Sequence, residues 1–291
     1  MELQPEGLRL TAFKKGVAAL KNAGIPNPAV DAAVLLGYVT GQSSSTVLLD
    51  RSSTLEPVQW NLYSILLEKR CGRIAVSRLI GSREFYSREF HITDDVLDPR
   101  PETEVLVEEA IRCLEDHNGR SCVLDIGTGS GAIAVTVAAE VVGARVTATD
   151  ISKAALDVAR RNAERHAVLD RVTFIQADLL NGFRKEGYFH VILSNPPYVS
   201  CAQFEGLQEE VREGDPMMAL VSGPNGNEYY PPLVKRSMEL LVRNGNLMVE
   251  VGAGQAGVVA GIFEGAGFEE VAIVNDLSGI GRVVRGKKKN A

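Results

Sequence analysis

The tetrapeptide Asn195-Pro196-Pro197-Tyr198 contains residues whose types and order could support ligand binding or catalysis. It follows an apolar, β-branched run at 189–194 that is typical of a buried strand. Two consecutive prolines cannot continue a strand, because each lacks an N–H and fixes its own φ. Asn195 and Tyr198 should therefore stand at the strand's carboxyl end, where open α/β sheets bind ligands. An amide, free carbonyl oxygens and an aromatic face suit a flat group carrying an NH2, although a proline-rich turn without chemistry is the alternative.

A glycine-rich segment lies upstream, with the sequence Asp125-Ile126-Gly127-Thr128-Gly129-Ser130-Gly131. It joins a strand-like stretch at 121–124 to a small, apolar, helical stretch at 131–142. The three glycines let the backbone turn tightly and approach a ligand closely. Their spacing differs from the G-x-G-x-x-G of dinucleotide enzymes, and no hydride-transfer pair lies nearby, which counts against a nicotinamide cofactor.

Two further strands are predicted to bring acidic side chains to the same edge. The strand at 145–149 ends in Asp150, whose carboxylate can accept hydrogen bonds from both hydroxyls of a ribose. The strand at 172–176 leads to Asp178 and Leu179, which are placed to face an adenine. For Asp150 alone, the alternative is a solvated acid at the end of a strand.

With these residues, the chain resembles the class I S-adenosylmethionine-dependent methyltransferases. It resembles more closely the protein-(glutamine-N5) methyltransferases that modify peptide chain release factors. Many nitrogen methyltransferases share the glycine segment and the tetrapeptide. The segment Leu97-Asp98-Pro99-Arg100-Pro101-Glu102-Thr103-Glu104 is far more specific, because sister enzymes that methylate a ribosomal protein usually depart from it after Pro-Arg. The resemblance covers nearly the whole chain, including 83–86 and 281–284.

The resemblance implies an α/β fold: a Rossmann-like class I methyltransferase sheet, mostly parallel with an antiparallel last strand. It implies an N-terminal helical bundle at 1–80 that binds the substrate or partner, a β-hairpin linker at 81–98 and a catalytic domain at 99–291. S-adenosyl-L-methionine is the implied cofactor and S-adenosyl-L-homocysteine the product, without a metal. The implied cofactor-binding residues are Gly127, Thr128, Gly129, Ser130, Gly131, Asp150, Asp178, Leu179 and Asn195.

The implied partners are class 1 release factors, with the Gly-Gly-Gln glutamine as acceptor. We assign catalysis and substrate binding to Asn195, Pro196, Pro197 and Tyr198. In this hypothesis the Asn195 oxygen and the Pro196 carbonyl accept the two N–H groups, and Tyr198 packs against the amide. The resemblance adds Arg100 and Glu102 to the substrate site, closing over cofactor and target. Their alternative role is to start a helix, which the adjoining proline and the acid favour.

The segment after the tetrapeptide departs from the family's pattern. The family usually has an aromatic residue and an acid before the proline of an Arg-x-x-Glu-Pro segment, but here the sequence is Arg212-Glu213-Gly214-Asp215-Pro216. Residues 219–228 also lack a usual acidic and apolar pair. These departures bear on how well the 212–228 loop is ordered and on how it contacts the partner. They leave the predicted cofactor and target residues unchanged.

The composition of the chain argues against several classes of function. The 291-residue chain has 45% hydrophobic and 23% charged residues and a net charge of −6, which argues against broad attraction to nucleic acid. Cysteines and histidines are scattered, which argues against disulfides and a metal site. We expect a monomeric cytoplasmic protein that has no membrane span and no direct nucleic-acid substrate. Two alternatives stay open: an exocyclic-amine methyltransferase acting on adenine N6 or guanine N2 of RNA or DNA, and a noncatalytic binding protein.

The remaining sequence predicts the elements that position these residues. Helices are expected at 8–23, from residue 28 onward and at 55–69, and a hairpin at 84–92 around Ser87-Arg88. Helices and strands alternate from residue 102, which predicts a parallel sheet covered on both faces. Gly245 is expected to end a helix before a strand at 246–251. The last strands are predicted at 271–275 and 282–284, and the basic run at 285–289 as a solvated tail.

Overall fold

A computed structural model describes residues 8–50, 52–115, 120–184 and 187–290. The helices are α1 (Arg9–Asn22), α2 (Pro28–Thr40), α3 (Ser44–Leu49), α4 (Pro57–Cys71), α5 (Val76–Ile80), α6 (Glu104–Glu115), α7 (Ala132–Glu140), α8 (Lys153–Arg165), α9 (Cys201–Phe204), α10 (Glu209–Gly214), α11 (Met217–Leu220), α12 (Tyr230–Leu240) and α13 (Ala256–Gly265). The strands are β1 (Ser82–Phe85), β2 (Arg88–His91), β3 (Ser121–Ile126), β4 (Ala144–Asp150), β5 (Val172–Gln176), β6 (Phe189–Ser194), β7 (Val199–Ser200), β8 (Val221–Gly223), β9 (Leu241–Glu250), β10 (Phe268–Asn275) and β11 (Gly281–Lys288).

The first compact unit, called the helical unit, is the described part of Met1–Ser82 together with Gln208–Gly214. Proline at the first turn starts both α2 and α4, and Gly41, which has a φ of 67°, follows Thr40 and caps the end of α2. The interior is apolar and centres on Trp60 and Tyr63 of α4. Glu210 of the second segment is held by Arg70, with an N–O distance of 3.1 Å. The packed apolar side chains of this unit confirm the expected N-terminal helices.

The second unit, called the sheet unit, comprises Arg83–Leu207 and Asp215–Ala291. Its seven-stranded sheet has the order β10-β11-β9-β6-β3-β4-β5. Strands β5, β4, β3, β6 and β9 pair in parallel, and β11 pairs antiparallel with both β9 and β10. The mostly parallel sheet with an antiparallel last strand confirms the predicted fold class. Two apolar clusters build the interior, one with α6, α7 and α8 and the other with α12 and α13.

From Arg83 onward, the β1–β2 hairpin belongs to the sheet unit and contributes aromatic side chains to its interior. Its turn residues Tyr86 and Ser87 have φ values of 51° and 56°, as in a type I′ turn, so the turn lies one residue earlier than predicted. Phe85 and Phe90 are buried edge to face, with ring centroids 6.0 Å apart. The side chain of Asn162 on α8 accepts a hydrogen bond from the His91 N–H at 2.7 Å. The hairpin therefore packs against the sheet unit's own helices.

Two predictions about the C-terminal third were wrong. Gly245 does not end a helix, because α12 ends at Leu240 and β9 runs through the glycine. The pairing of β6 with β9 jumps from Phe189–Leu241 to Val191–Asn246, so the glycine lies in an irregularity of the strand. A Cβ there would approach the His190 carbonyl oxygen to 3.1 Å. The basic run is not a solvated tail, since β11 extends to Lys288 and lies paired between β9 and β10, with Arg285 and Lys287 in register with both strands.

Candidate active site

The site lies where the strand order of the sheet reverses. Strands β4 and β5 lie on one side of β3, and β6 and β9 lie on the other, so a crevice opens at their carboxyl ends. A cavity of ≈ 590 Å³ occupies this edge. Its lining includes eight of the predicted site residues: Gly127, Gly129, Asp150, Asp178, Leu179, Asn195, Pro196 and Pro197. These eight cofactor and target residues therefore meet at one cavity.

The glycine segment forms a tight loop between β3 and α7. Gly127, Gly129 and Gly131 have φ values of 71°, 54° and 81°, a region that L side chains rarely adopt. A Cβ at Gly127 or Gly129 would meet no described atom within 4 Å, whereas one at Gly131 would lie 3.0 Å from the Ala159 Cβ. The first two glycines therefore expose backbone to the cavity, and the third permits packing of the loop against α8.

Two predicted loop residues, Thr128 and Ser130, are buried and do not line the cavity. The Thr128 hydroxyl donates to Asp125 Oδ2 at 2.6 Å, and the Thr128 N–H donates to the Thr149 carbonyl oxygen at 2.8 Å. The Ser130 carbonyl oxygen accepts from Asn162 Nδ2 at 2.8 Å. These contacts hold the loop in shape.

Asp150 ends β4 and is half-buried at the cavity wall. Its Oδ2 accepts from the Gly129 N–H and its Oδ1 from the Ser152 N–H, both at 2.9 Å. Each carboxylate oxygen can accept further hydrogen bonds. Asp150 thus fixes the glycine loop and still offers acceptors to a ligand.

Asp178 and Leu179 follow β5 and line the same cavity. Leu179 has a φ of 50°, which turns the chain sharply after the strand. The Asp178 carbonyl oxygen accepts the Asn181 N–H at 3.0 Å and closes this turn. The carboxylate of Asp178 and the apolar side chain of Leu179 therefore lie next to each other in sequence at the cavity wall.

Strand β6 ends at Ser194, and the tetrapeptide follows it, as expected because two consecutive prolines cannot continue a strand. Asn195 Nδ2 donates to the Thr103 hydroxyl oxygen at 3.1 Å. Pro196 and Pro197 line the cavity, whereas Tyr198 does not, and the Tyr198 hydroxyl donates to Glu250 Oε1 at 3.4 Å. Burial raises the pKa of the Tyr198 hydroxyl well above its usual range, so this group stays protonated. Among the described residues, none donates a hydrogen bond to the Pro196 carbonyl oxygen.

Arg100 and Glu102 do not line the cavity, and both are engaged in ion pairs. The Arg100 guanidinium lies 2.5 Å from Asp215 Oδ2, and Glu102 Oε1 lies 3.9 Å from the Arg282 guanidinium. Asp215 is the acid before the proline in the departing loop, and its side chain is buried. The pair therefore ties the Arg100 segment to the start of the 215–220 segment.

Sequence reasoning missed two buried acids near these residues. Asp125 is the penultimate residue of β3, and Glu250 is the last residue of β9. Burial raises the pKa of each carboxyl to about 7, although hydrogen bonding from Thr128 lowers the pKa of Asp125 and hydrogen bonding from Tyr198 lowers that of Glu250. The available signal was an acid directly after a run of apolar strand residues, because a buried acid at such a position is costly without a role.

Comparison with known proteins identifies two family models in the chain. Residues 101–212 match the methyltransferase small domain, and residues 11–81 match the PrmC N-terminal domain. A release factor glutamine methyltransferase of Rhodopirellula baltica is 38% identical over 272 residues, covering 92% of each chain. One of Chlorobaculum tepidum is 37% identical over 277 residues, covering 93% of this chain and 94% of that protein.

A methyltransferase crystal structure from Pyrococcus furiosus is similar in fold. Its TM-score is 0.51, and the match covers 76% of this chain and 99% of that chain. The sequences are 20% identical, so this likeness concerns the fold alone.

Proposed function

Because the chain belongs to the release factor glutamine methyltransferase family, we propose that it methylates the glutamine of the Gly-Gly-Gln motif in class 1 peptide chain release factors and so modulates translation termination. The methyl group would pass from S-adenosylmethionine to the side-chain amide nitrogen, N5. The observation that carries the proposal is the single cavity lined by Gly129, Asp150, Asn195 and Pro196. It joins groups suited to a nucleoside with groups suited to a primary amide.

The residues at the cavity fit S-adenosylmethionine. The ≈ 590 Å³ volume lies within the range of small-molecule sites. Gly127 and Gly129 allow a ligand to approach the backbone, Asp150 offers ribose acceptors, and Asp178 and Leu179 would flank the adenine. When bound, the cofactor supplies a methyl group on a sulfonium with a good leaving group.

The tetrapeptide would bind and orient the acceptor amide. An amide nitrogen is a poor nucleophile, because its lone pair is delocalised into the carbonyl. With the Asn195 NH2 turned toward Thr103, its Oδ1 can accept one substrate N–H, and the Pro196 carbonyl can accept the other. Holding both N–H groups directs a face of the nitrogen at the methyl group, and such positioning contributes roughly 7–11 kcal/mol in favourable cases.

The chemistry does not require a strong base before methyl transfer. The amide proton becomes acidic only after the nitrogen has been alkylated. Pro196 and Pro197 help to exclude water beside the reacting group, and the Tyr198 ring would flank the amide plane. We accordingly assign Asn195, Pro196 and Tyr198 to positioning in contact with the substrate, with no proton acceptor named.

We assign partner binding to the helical domain at 1–80, followed by the 81–98 hairpin segment and the catalytic domain at 99–291. An apolar stripe on α4 supports this assignment. Val58, Leu62 and Ile65 are 78%, 39% and 42% exposed, at spacings that place them on one face of the helix. Leu62→Ser should raise the KM for the release factor and leave cofactor affinity unchanged.

We propose that the protein works as a cytoplasmic monomer without a metal. Four cysteines are free, which is typical of a reducing compartment. Among the described helices, none is both long and apolar enough to cross a bilayer. Light scattering tests the monomer, and unchanged turnover in a chelator tests the metal-free reaction.

The test of function is transfer of labelled methyl groups in a mixture of release factor, ribosomal RNA, transfer RNA and DNA. We expect label in the release factor only. Label in nucleic acid but not in protein would favour the exocyclic-amine alternative. Failure to bind S-adenosylmethionine by calorimetry would favour the noncatalytic alternative.

A further inference from the structure

The side-chain amide of Gln255 joins three segments of the sheet unit. Gln255 is half-buried and caps the start of α13. Its Oε1 accepts from the Gly252 N–H at 2.9 Å. Its Nε2 donates to the Tyr198 carbonyl oxygen at 3.0 Å and to the Gly226 carbonyl oxygen at 3.2 Å. One side chain therefore connects the turn after β9, the tetrapeptide and the loop at 224–229 that joins β8 to α12.

The partners of Gln255 fix the orientation of its amide. A backbone N–H can only donate a hydrogen bond, and a carbonyl oxygen can only accept one. The amide oxygen must therefore face Gly252, and the NH2 must face Tyr198 and Gly226. A flipped amide would set donor against donor and acceptor against acceptors at all three contacts. Gln255 thus allows only one arrangement of the three segments.

Two glycines provide the space for this junction. A Cβ at Gly252 would lie 2.7 Å from Gln255 Oε1 and 3.1 Å from Tyr198 Cδ2. A Cβ at Gly226, which has a φ of 81°, would lie 2.6 Å from the Tyr198 carbonyl oxygen and 2.9 Å from Gln255 Nε2. The segments approach Gln255 so closely that a residue with a side chain would clash at either glycine. Close packing and hydrogen bonding therefore agree on a built junction at this point.

We propose that Gln255 is a positioning residue that holds the main chain of Tyr198 against the 224–229 loop, and so keeps the Tyr198 ring beside the acceptor amide. The inference rests on the proposed function, which assigns Tyr198 to contact with the substrate glutamine. Gln255 itself does not line the cavity and acts through the tetrapeptide. The loop that it holds includes the end of the 212–228 segment, whose sequence departs from the family's pattern.

The first test compares Gln255→Glu and Gln255→Met with the wild type in mildly alkaline buffer. The Glu change keeps the acceptor for Gly252 but places an ionised oxygen against two carbonyl oxygens. The Met change keeps the length of the side chain and makes none of the three hydrogen bonds. We expect kcat to fall by about 10–100-fold in both variants, with KM for the release factor and cofactor affinity within about twofold, because a misplaced Tyr198 affects orientation more than binding.

The control for the altered charge is Asn244→Asp. It makes the same amide-to-acid change at an exposed position near the opposite end of β9. Its kcat should equal that of the wild type. Wild-type kcat in folded Gln255→Met would overturn the inference.

The second test separates the two halves of the Gln255 amide by hydrogen exchange at the Gly252 N–H. This N–H should stay protected in Gln255→Glu, which keeps its acceptor, and should exchange faster in Gln255→Met. A low kcat together with a protected Gly252 N–H would assign the loss to the contacts with Tyr198 and Gly226. Loss of that protection in Gln255→Glu would show that the turn itself had opened, which would contradict the positioning role.

Exchange in the 224–229 loop separates this inference from the proposed function. The N–H groups of Asn225 and Glu228 are hydrogen-bonded within the loop segment and should exchange faster in Gln255→Met than in the wild type. If the wild type transfers no methyl group to a release factor, the proposed function fails, and this comparison still decides whether Gln255 holds the loop. Equal exchange in the two proteins would show that it does not.

Discussion

Among individual residues, Asp150 serves two functions. Its carboxylate accepts the N–H groups of Gly129 and Ser152, and it lines the cavity as well. The acid at the end of β4 was predictable from sequence, because the strand pattern places it at the binding edge. The hydrogen bond from Gly129 to Asp150 was not predictable from sequence, because it joins parts of the chain that come together only after β3 and β4 pair.

The change Asp150→Ala should weaken S-adenosylmethionine binding more than loss of ribose contacts alone would. Each charge-assisted hydrogen bond contributes about 1.5–3 kcal/mol, and the Gly129 loop also loses its anchor. Calorimetric titration should show the affinity reduced by at least about 10-fold. Asp157→Ala, at an exposed position on α8, should bind normally. Equal affinities in the two variants would remove Asp150 from the cofactor site.

Glu250 shows the limit of residue-level prediction. The sequence marks it as an acid after the apolar residues 247–249, but its hydrogen-bond partner Tyr198 comes from a distant segment. The parallel pairing of β6 with β9 brings the tetrapeptide and Glu250 to one edge, and no local pattern specifies that order. The resemblance placed Thr103 in a segment that closes over the cofactor and target, but it did not indicate that the Thr103 hydroxyl accepts a hydrogen bond from Asn195.

At the element scale, the glycine loop has two kinds of glycine. A side chain at Gly129 would enter the cavity, whereas a side chain at Gly131 would press on the backbone and Cβ of Ala159. The spacing predicted the loop. It did not distinguish these roles, because the contact with α8 depends on packing between elements.

The substitutions Gly129→Val and Gly131→Val should therefore affect cofactor affinity and stability to different extents. Gly129→Val should lose cofactor affinity while its stability falls by about 1–3 kcal/mol, the cost of a side chain in this backbone region. Gly131→Val should lose more stability, because it adds the clash with Ala159. Urea unfolding and cofactor titration measure both effects. A Gly129→Val protein with normal cofactor affinity would place the loop away from the ligand.

Strand boundaries followed the sequence well where turn residues bounded the apolar runs. The predicted 172–176 and 189–194 strands coincide with β5 and β6. Prediction failed at Gly245 and at 285–288, where pairing extends a strand through a glycine and through basic residues. Neighbouring strands supply hydrogen bonds there that override local propensity.

At the scale of the whole molecule, two buried acids should shape the pH dependence of stability. Burial raises the pKa of Asp125 and of Glu250 to about 7. Each group binds its proton more tightly in the folded chain than in the unfolded one. Its contribution is therefore fully present below the unfolded pKa and is lost as the pH rises through about 7.

We expect the free energy of unfolding to increase between about pH 9 and about pH 5, by on the order of 3 kcal/mol for each group. Asp125→Asn and Glu250→Gln should each remove part of this dependence. Urea titrations across that range provide the measurement, with Glu264→Gln as the exposed control. Retention of the full wild-type dependence in both variants would show that these acids do not titrate in this range.

The fold class was predictable at this scale, because alternating helices and apolar strands permit few arrangements. The antiparallel last strand came from the family resemblance and not from periodicity. The grouping of Gln208–Gly214 with the N-terminal helices had no sequence signal, since it depends on contacts such as Glu210 with Arg70.

The most direct test of the central claim is peptide mass spectrometry of a release factor after incubation with S-adenosylmethionine and either wild-type protein or Asn195→Ala. We expect one methyl group on the Gly-Gly-Gln glutamine with the wild type. Asn195→Ala should be about 10²–10³-fold slower, comparable to the loss of one preorganised polar group. Asn275→Ala, an exposed asparagine at the end of β10, should match the wild type. Methylation at another residue would contradict the proposed acceptor, and wild-type rates in folded Asn195→Ala would contradict the proposed role of Asn195.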